Sequence, residues 1–127
     1  MKLLLDTHAF LFAISNPDSL SPSVSTLLVS LQSQRWLSAV SLWEIAVKIQ
    51  IGKLDLPTDP AFFQHHLRKL KCDLLPVEAT HSFELLRLPL LHKDPFDRLL
   101  IAQARVEQMT LVTRDEQIRA YPVPTLW

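Results

Sequence analysis

The chain has 127 residues, 48% apolar and 20% charged, which is enough for a full core and far from the composition of a disordered chain. Lys plus Arg and Asp plus Glu each number 13, so no overall field draws the protein to nucleic acid, and a polyanion must be met by local cations. Cys72 is the sole cysteine, which excludes an internal disulfide and suits a reducing cytoplasm.

The chain opens "MKLLLDTHAF". Asp6 stops the leucine run well short of a signal-peptide core, and no stretch reaches the roughly 18 apolar residues of a membrane span. A soluble cytoplasmic protein without membrane contact is expected, as one domain over residues 1–127. "LLLD" (3–6) reads as a short buried strand and "THAFLFAI" (7–14) as a helix, followed by the proline-marked loop "SNPDSLSPS". A second helix is predicted over 23–33 and a second strand over 35–40. Ser41, with Glu44 three residues on, has capping-box spacing for the next helix, which Gly52 would end.

Asp59-Pro60 starts a helix over 59–70, and "CDLLPV" (72–77) suggests a third strand before a helix over 78–88. "FDRLLIAQARVEQM" (96–109) is the clearest helix, "TLVT" (110–113) a fourth strand and "VPTLW" (123–127) a fifth. Short apolar strands alternating with helices predict a three-layer α/β/α sandwich around a short parallel sheet.

The acids fall at matching places in this scheme. Asp6 ends the first strand, Asp115 follows the fourth, Glu44 starts the helix after the second, and Asp94 and Asp97 open the long helix. Ligands of open parallel sheets bind beyond the carboxyl ends of the strands. Carboxylates gathered there repel by about 4 kcal/mol per pair at 4 Å and an effective dielectric near 20. A hard divalent cation removes that cost, and an all-oxygen donor set suits Mg²⁺ or Mn²⁺. Such an ion supports phosphodiester hydrolysis. Each acid also has a plainer reading: Glu44, Asp94 and Asp97 as helix-start acids, Asp115 as a turn residue. Asp6, closing an all-leucine strand, is the hardest to explain structurally.

Other acid-centred α/β enzymes match less well. A haloacid-dehalogenase-like phosphatase needs a second Asp two residues after the first, where this chain has His8, and a Gly-rich phosphate loop, where it has a single glycine. A receiver domain needs a paired acidic cluster after the first strand, and only Asp6 stands there.

"LLLDTHAFLF", "SAVSLWEIAVKIQIGKL", "HKDPFDRLLIAQA" and "TLVTRDEQIRAY" together resemble the PIN-domain nucleases, in particular the VapC-type toxins of bacterial toxin–antitoxin pairs. The likeness spans nearly the whole chain. It implies a PIN-like sandwich and a metal-dependent endoribonuclease, with Asp6, Glu44, Asp97 and Asp115 as the catalytic, metal-holding acids. Asp94, Thr113 and Thr7 would be accessory. The resemblance further implies an RNA substrate, a homodimer and a cognate antitoxin protein. Lys48, Lys53, Arg98 and Arg114 are candidate RNA contacts, with Arg98 and Lys48 equally able to restrain carboxylates. Apolar residues within 24–36 and 62–70 make a dimer plausible. His8 is expected to pack or cap, and Trp36 and Trp43 to be core or dimer contacts. The alternative is a PIN fold kept as a catalytically idle RNA- or protein-binding module.

Overall fold

The computed structural model describes residues 1–127. Strand β1 (Lys2–Leu5) holds three consecutive leucines that are completely buried. Side chains alternate across a strand, so Leu3 and Leu5 enter the core on one face and Leu4 the core on the other. β1 lies at the centre of a five-stranded sheet with β2 (Gln34–Ser38), β3 (Cys72–Leu75), β4 (Thr110–Val112) and β5 (Thr125–Leu126). The order is β3-β2-β1-β4-β5 and every pairing is parallel. Leu4 sits between Trp36 of β2 and Leu111 of β4.

Helices cover both faces. α1 (Thr7–Ser15), α2 (Pro22–Val29), α3 (Ala39–Gln50) and α4 (Pro60–Lys69) send Phe10, Val24, Ile45 and Leu67 against Leu3 and Leu5. α6 (Pro95–Glu107) and α7 (Glu116–Arg119) send Leu100, Ile101 and Ile118 against Leu4 and Leu111, with Leu85 of α5 (Ala79–Leu85) alongside. Each fully buried leucine contributes about 1.5–3 kcal/mol of transfer free energy, so β1 is a rigid mount for whatever follows it. The result is the expected α/β/α sandwich.

Local differences from the sequence reading have identifiable causes. The second helix stops at Val29, with Ser30 as its C-cap in extended backbone, and does not run on to residue 33. β2 ends at Ser38, not at 40, because Ser38 is itself the helix cap, accepting from Val40 N at 3.0 Å. Ser41 is therefore not the N-cap but a fully buried residue inside α3, and Glu44 stands in the second turn, not the first. Gly52 does follow the helix end, at φ +79 where a side chain is strained. The short helix α7, capped by Asp115, was not anticipated.

Val24, Leu28 and Leu67 from the two segments expected to support a dimer are core residues, while Val29 and Leu31 are exposed. Trp43 is exposed as well, not core. Trp36 packs half-buried beside Leu4. No helix is long and apolar enough to cross a membrane.

Candidate functional site

β1 connects to β2 on one side of the sheet and is flanked by β4 on the other. The strand order switches there, opening a crevice at the carboxyl end of β1. Asp6 is the first residue past that end. It is nearly fully buried and caps α1, its Oδ1 accepting from Ala9 N at 2.7 Å. Burial raises its pKa above the usual carboxylate value, and the charge of Asp115 adds to this, against lowering by hydrogen bonds from Thr113 and Ala9 and by the charge of His8. The buried Thr113 hydroxyl also accepts from Asp115 N at 3.1 Å. Thr113 thus ties together the acids that follow β1 and β4. Asp115 caps α7 through Oδ1 to Gln117 N at 2.8 Å, leaving its other oxygen without a protein partner.

Glu44 projects from α3 into the same region and is also buried. Its Oε1 lies 2.7 Å from Thr7 Oγ1, which in turn lies 3.0 Å from Ser41 Oγ. A hydroxyl has one proton, so Thr7 donates to the carboxylate and accepts from Ser41. Lys48 Nζ, one turn along α3, lies 2.7 Å from Glu44 Oε2. Both oxygens of Glu44 are engaged, and Lys48 has the restraining role that the sequence left open for it.

Helices that cover a parallel sheet run back against the strands, so α6 begins at the carboxyl edge. Asp94 caps it, its Oδ1 accepting from Phe96 N at 2.9 Å and Asp97 N at 3.0 Å, and Asp94 is exposed. Its capping reading is realised. Asp97, in the first turn, is held at about 6, well above its ordinary 3.8. Burial is the main cause; the charges of Asp94, Asp115 and Glu44 push the same way, and a hydrogen bond from His92 opposes them.

His92 and Tyr121 were missed in the sequence. His92 Nε2 is 3.2 Å from Asp97 Oδ2, and its Nδ1 is 2.9 Å from Tyr121 Oη. The tyrosine oxygen also accepts from the backbone N–H of Leu91 at 3.2 Å and of His92 at 3.1 Å. Burial alone would raise the Tyr121 phenol; the donors around it, Arg98 included, bring it down to about 8. Arg98 therefore turns to Tyr121, and its Nε is buried without a partner. His92 stands five residues before Asp97 in a motif already singled out, a usable signal, whereas Tyr121 is distant in sequence.

Lys53 is exposed just past α3. Arg114, also exposed, lies with its guanidinium carbon 4.8 Å from the centre of the Phe12 ring. An apolar cavity of about 580 Å³ lies between α3 and α4, lined by Ile45, Ile49, Phe63 and Leu67 among others, and none of the acids borders it.

Four acids from four elements thus lie toward the carboxyl edge, Asp97 feeling the charges of Glu44 and Asp115 and Asp6 that of Asp115. No three His, Cys, Asp or Glu side chains close around a single point. The donor chemistry still fits a hard divalent ion: oxygen ligands only, mutually repelling, with one oxygen of Asp97 and one of Asp115 uncommitted.

Comparison with known proteins gives a consistent picture. The family model described as PIN domain matches residues 3–124. No curated protein is matched. Among solved structures, VapBC2 from Rickettsia felis bound to a promoter DNA fragment is 20% identical, with TM-score 0.74 over 99% of this chain and 98% of that one. FitAcB from Neisseria gonorrhoeae is 17% identical, with TM-score 0.65 over 98% and 96%. DNA-bound VapBC from Salmonella typhimurium is 14% identical, with TM-score 0.65 over 99% and 97%. At these identities the shared property is the fold.

Proposed function

The chain belongs to the PIN domain family, and from that premise we propose that it is a Mg²⁺- or Mn²⁺-dependent endoribonuclease, the toxin of a toxin–antitoxin pair. The observation that carries this reading is the electrostatic linkage of acids beside the switch point of the sheet: Asp97 is held near 6 by burial and by the charges of Asp94, Asp115 and Glu44, and Asp6 in turn feels Asp115. A protein gains no stability from such an arrangement; it makes sense as a cation site. Asp6, Asp97 and Asp115 would hold the ion, with Glu44 joining them or steering a water, depending on whether Lys48 lets go. Bound there, the ion would neutralise the acids, polarise a phosphoryl oxygen and lower the pKa of a bound water.

The chain's own residues supply the frame. Thr7 and Lys48 fix the Glu44 carboxylate, Thr113 fixes Asp6, and His92 fixes Asp97. Lys48, Lys53, Arg98 and Arg114 are the cations available to RNA phosphates, with Arg98 the most committed elsewhere. A solved structure of similar fold is a toxin–antitoxin complex from Klebsiella pneumoniae, which supports a cognate antitoxin partner, and the family resemblance supports a homodimer working in the cytoplasm.

The deciding experiment is cleavage of tRNA, ribosomal RNA and a long messenger by purified, antitoxin-free protein, with Mg²⁺, Mn²⁺ or EDTA, beside Asp97→Asn. Metal-dependent cuts absent from Asp97→Asn are expected. One observation favours a second reading, an idle binding module: Glu44 is already neutralised by Lys48. RNA binding that survives EDTA, with no cuts under either metal, would establish that reading instead.

A further inference from the structure

A strip of planar groups leads away from Asp6. His8, two residues on, is exposed on α1, and its charge is felt by Asp6. One helical turn later comes Phe12, with ring centres 6.4 Å apart. The Phe12 ring in turn lies 6.3 Å from the ring of Trp127, at the end of β5. Over both aromatics sits Arg114, its guanidinium carbon 4.8 Å from the centre of Phe12 and 6.0 Å from that of Trp127.

Phe12 is half-buried and belongs to neither hydrophobic core; it meets the rest of the protein through Trp127, which packs at the margin of the core that holds Leu3 and Leu5. Arg114 follows Thr113, the residue that bridges Asp6 and Asp115, so the strip is continuous with the acid centre. Cation–π contact pre-orders the long arginine side chain over the rings, and no carboxylate is paired with it.

We propose that His8, Phe12, Arg114 and Trp127 form a stacking subsite for an unpaired nucleotide of single-stranded RNA next to the scissile phosphate. This rests on the nuclease reading. Unstacked bases bind aromatic faces and guanidinium planes, while the arginine charge meets the backbone phosphate. A paired duplex keeps its bases stacked on each other and cannot use the strip. The local cation compensates for a chain with no net charge.

The test is fluorescence anisotropy with a labelled single-stranded RNA of about ten nucleotides and its duplex, in an Asp97→Asn background, alongside steady-state cleavage by the otherwise wild-type protein. Phe12→Leu and Arg114→Lys should each weaken single-strand binding about five- to twentyfold, the loss expected for one stacked base, and leave duplex binding unchanged. In the cleaving protein they should raise KM by a similar factor and leave kcat in place. Arg114→Lys keeps the charge and touches no core, so it remains informative if Phe12→Leu fails to fold. If Arg114→Lys binds normally and only Arg114→Gln is weak, the arginine acts by charge alone and the stacking subsite is overturned. Unchanged RNA affinity with weakened binding of a protein partner overturns it equally. Cleavage with an unmoved KM removes the strip and spares the nuclease. The absence of cleavage by wild type on every RNA removes the nuclease, whatever the binding result.

Discussion

His92 Nε2 lies 3.2 Å from Asp97 Oδ2, and the same ring reaches Tyr121 Oη through Nδ1 at 2.9 Å. The ring stands between the phenol and the carboxylate with one nitrogen turned to each, and its hydrogen bonds to Tyr121 and Asp97 favour the protonated ring. The histidine orients Asp97 and eases its ionisation.

His92→Phe should therefore raise the proton affinity of Asp97, since the hydrogen bond removed is the one that lowers it. In the metal-free protein the Asp97 carboxyl carbon, followed by NMR, should titrate above the present value of about 6. A curve identical to wild type would show that His92 merely packs there.

The acid cluster also sets the pH dependence of the metal-free fold. Asp97 holds its proton up to about 6, whereas the unfolded chain releases it near 3.8. Its stabilising contribution is complete below the unfolded value and is lost as pH rises to 6. Asp6 is raised in the same direction by burial, and His92, raised by Tyr121 and Asp97 against the lowering effect of burial, adds a loss at higher pH. With solvent screening at a half-buried group, Asp97 alone accounts for about 1–2 kcal/mol. Mg²⁺ should offset the loss, raising Tm by several degrees at pH 7.5 and much less at pH 5. Calorimetry showing equal Mg²⁺ effects at both values would count against ion binding by these acids.

Asp6→Asn separates function from stability. Asparagine caps a helix about as well as aspartate, so Ala9 N keeps its partner. Removing a buried charge that faces Asp115 should stabilise the metal-free protein by about 1 kcal/mol while abolishing cleavage. A destabilised variant would mean that the charge itself is needed for the fold.

Much of this was legible in the sequence, for physical reasons that differ by element. Three leucines in a row can be buried only on two faces, which gives β1, the parallel sheet and the mount for Asp6 together. Helix ends were harder, because serine caps equally well at several nearby positions: Ser38 and Ser41 are three residues apart, and only packing decides between them. The acids were visible as a set. The family resemblance also points to Thr7 and Thr113 beside them, whereas the parts played by Ser41 and Tyr121 stay hidden, since both reach the site through tertiary contacts that no local pattern encodes. His81 is a further case. Fully buried, it accepts from Glu78 N at 2.9 Å and meets Glu107 Oε2 at 2.8 Å, joining α5 to α6.

Thr7 offers the sharpest test of how the site is held. It belongs to α1, while Glu44 and Ser41 belong to α3, so one hydroxyl couples two helices beneath the carboxylate edge. Thr7→Val preserves shape and leaves Glu44 Oε1 without its donor and Ser41 without its acceptor, both in buried positions. A hydrogen bond to a charged group contributes about 1.5–3 kcal/mol, and an unsatisfied buried group costs a similar amount. Denaturant unfolding should show a loss of about 2 kcal/mol with an unchanged m-value. Thr7→Ser retains the hydroxyl and should lose under half of that. Lys48 still holds Oε2 in both variants, so Glu44 keeps its charge partner and the difference between valine and serine isolates the hydroxyl. If valine proves as stable as wild type, Glu44 finds another donor, and the coupling of α1 to α3 does not run through Thr7.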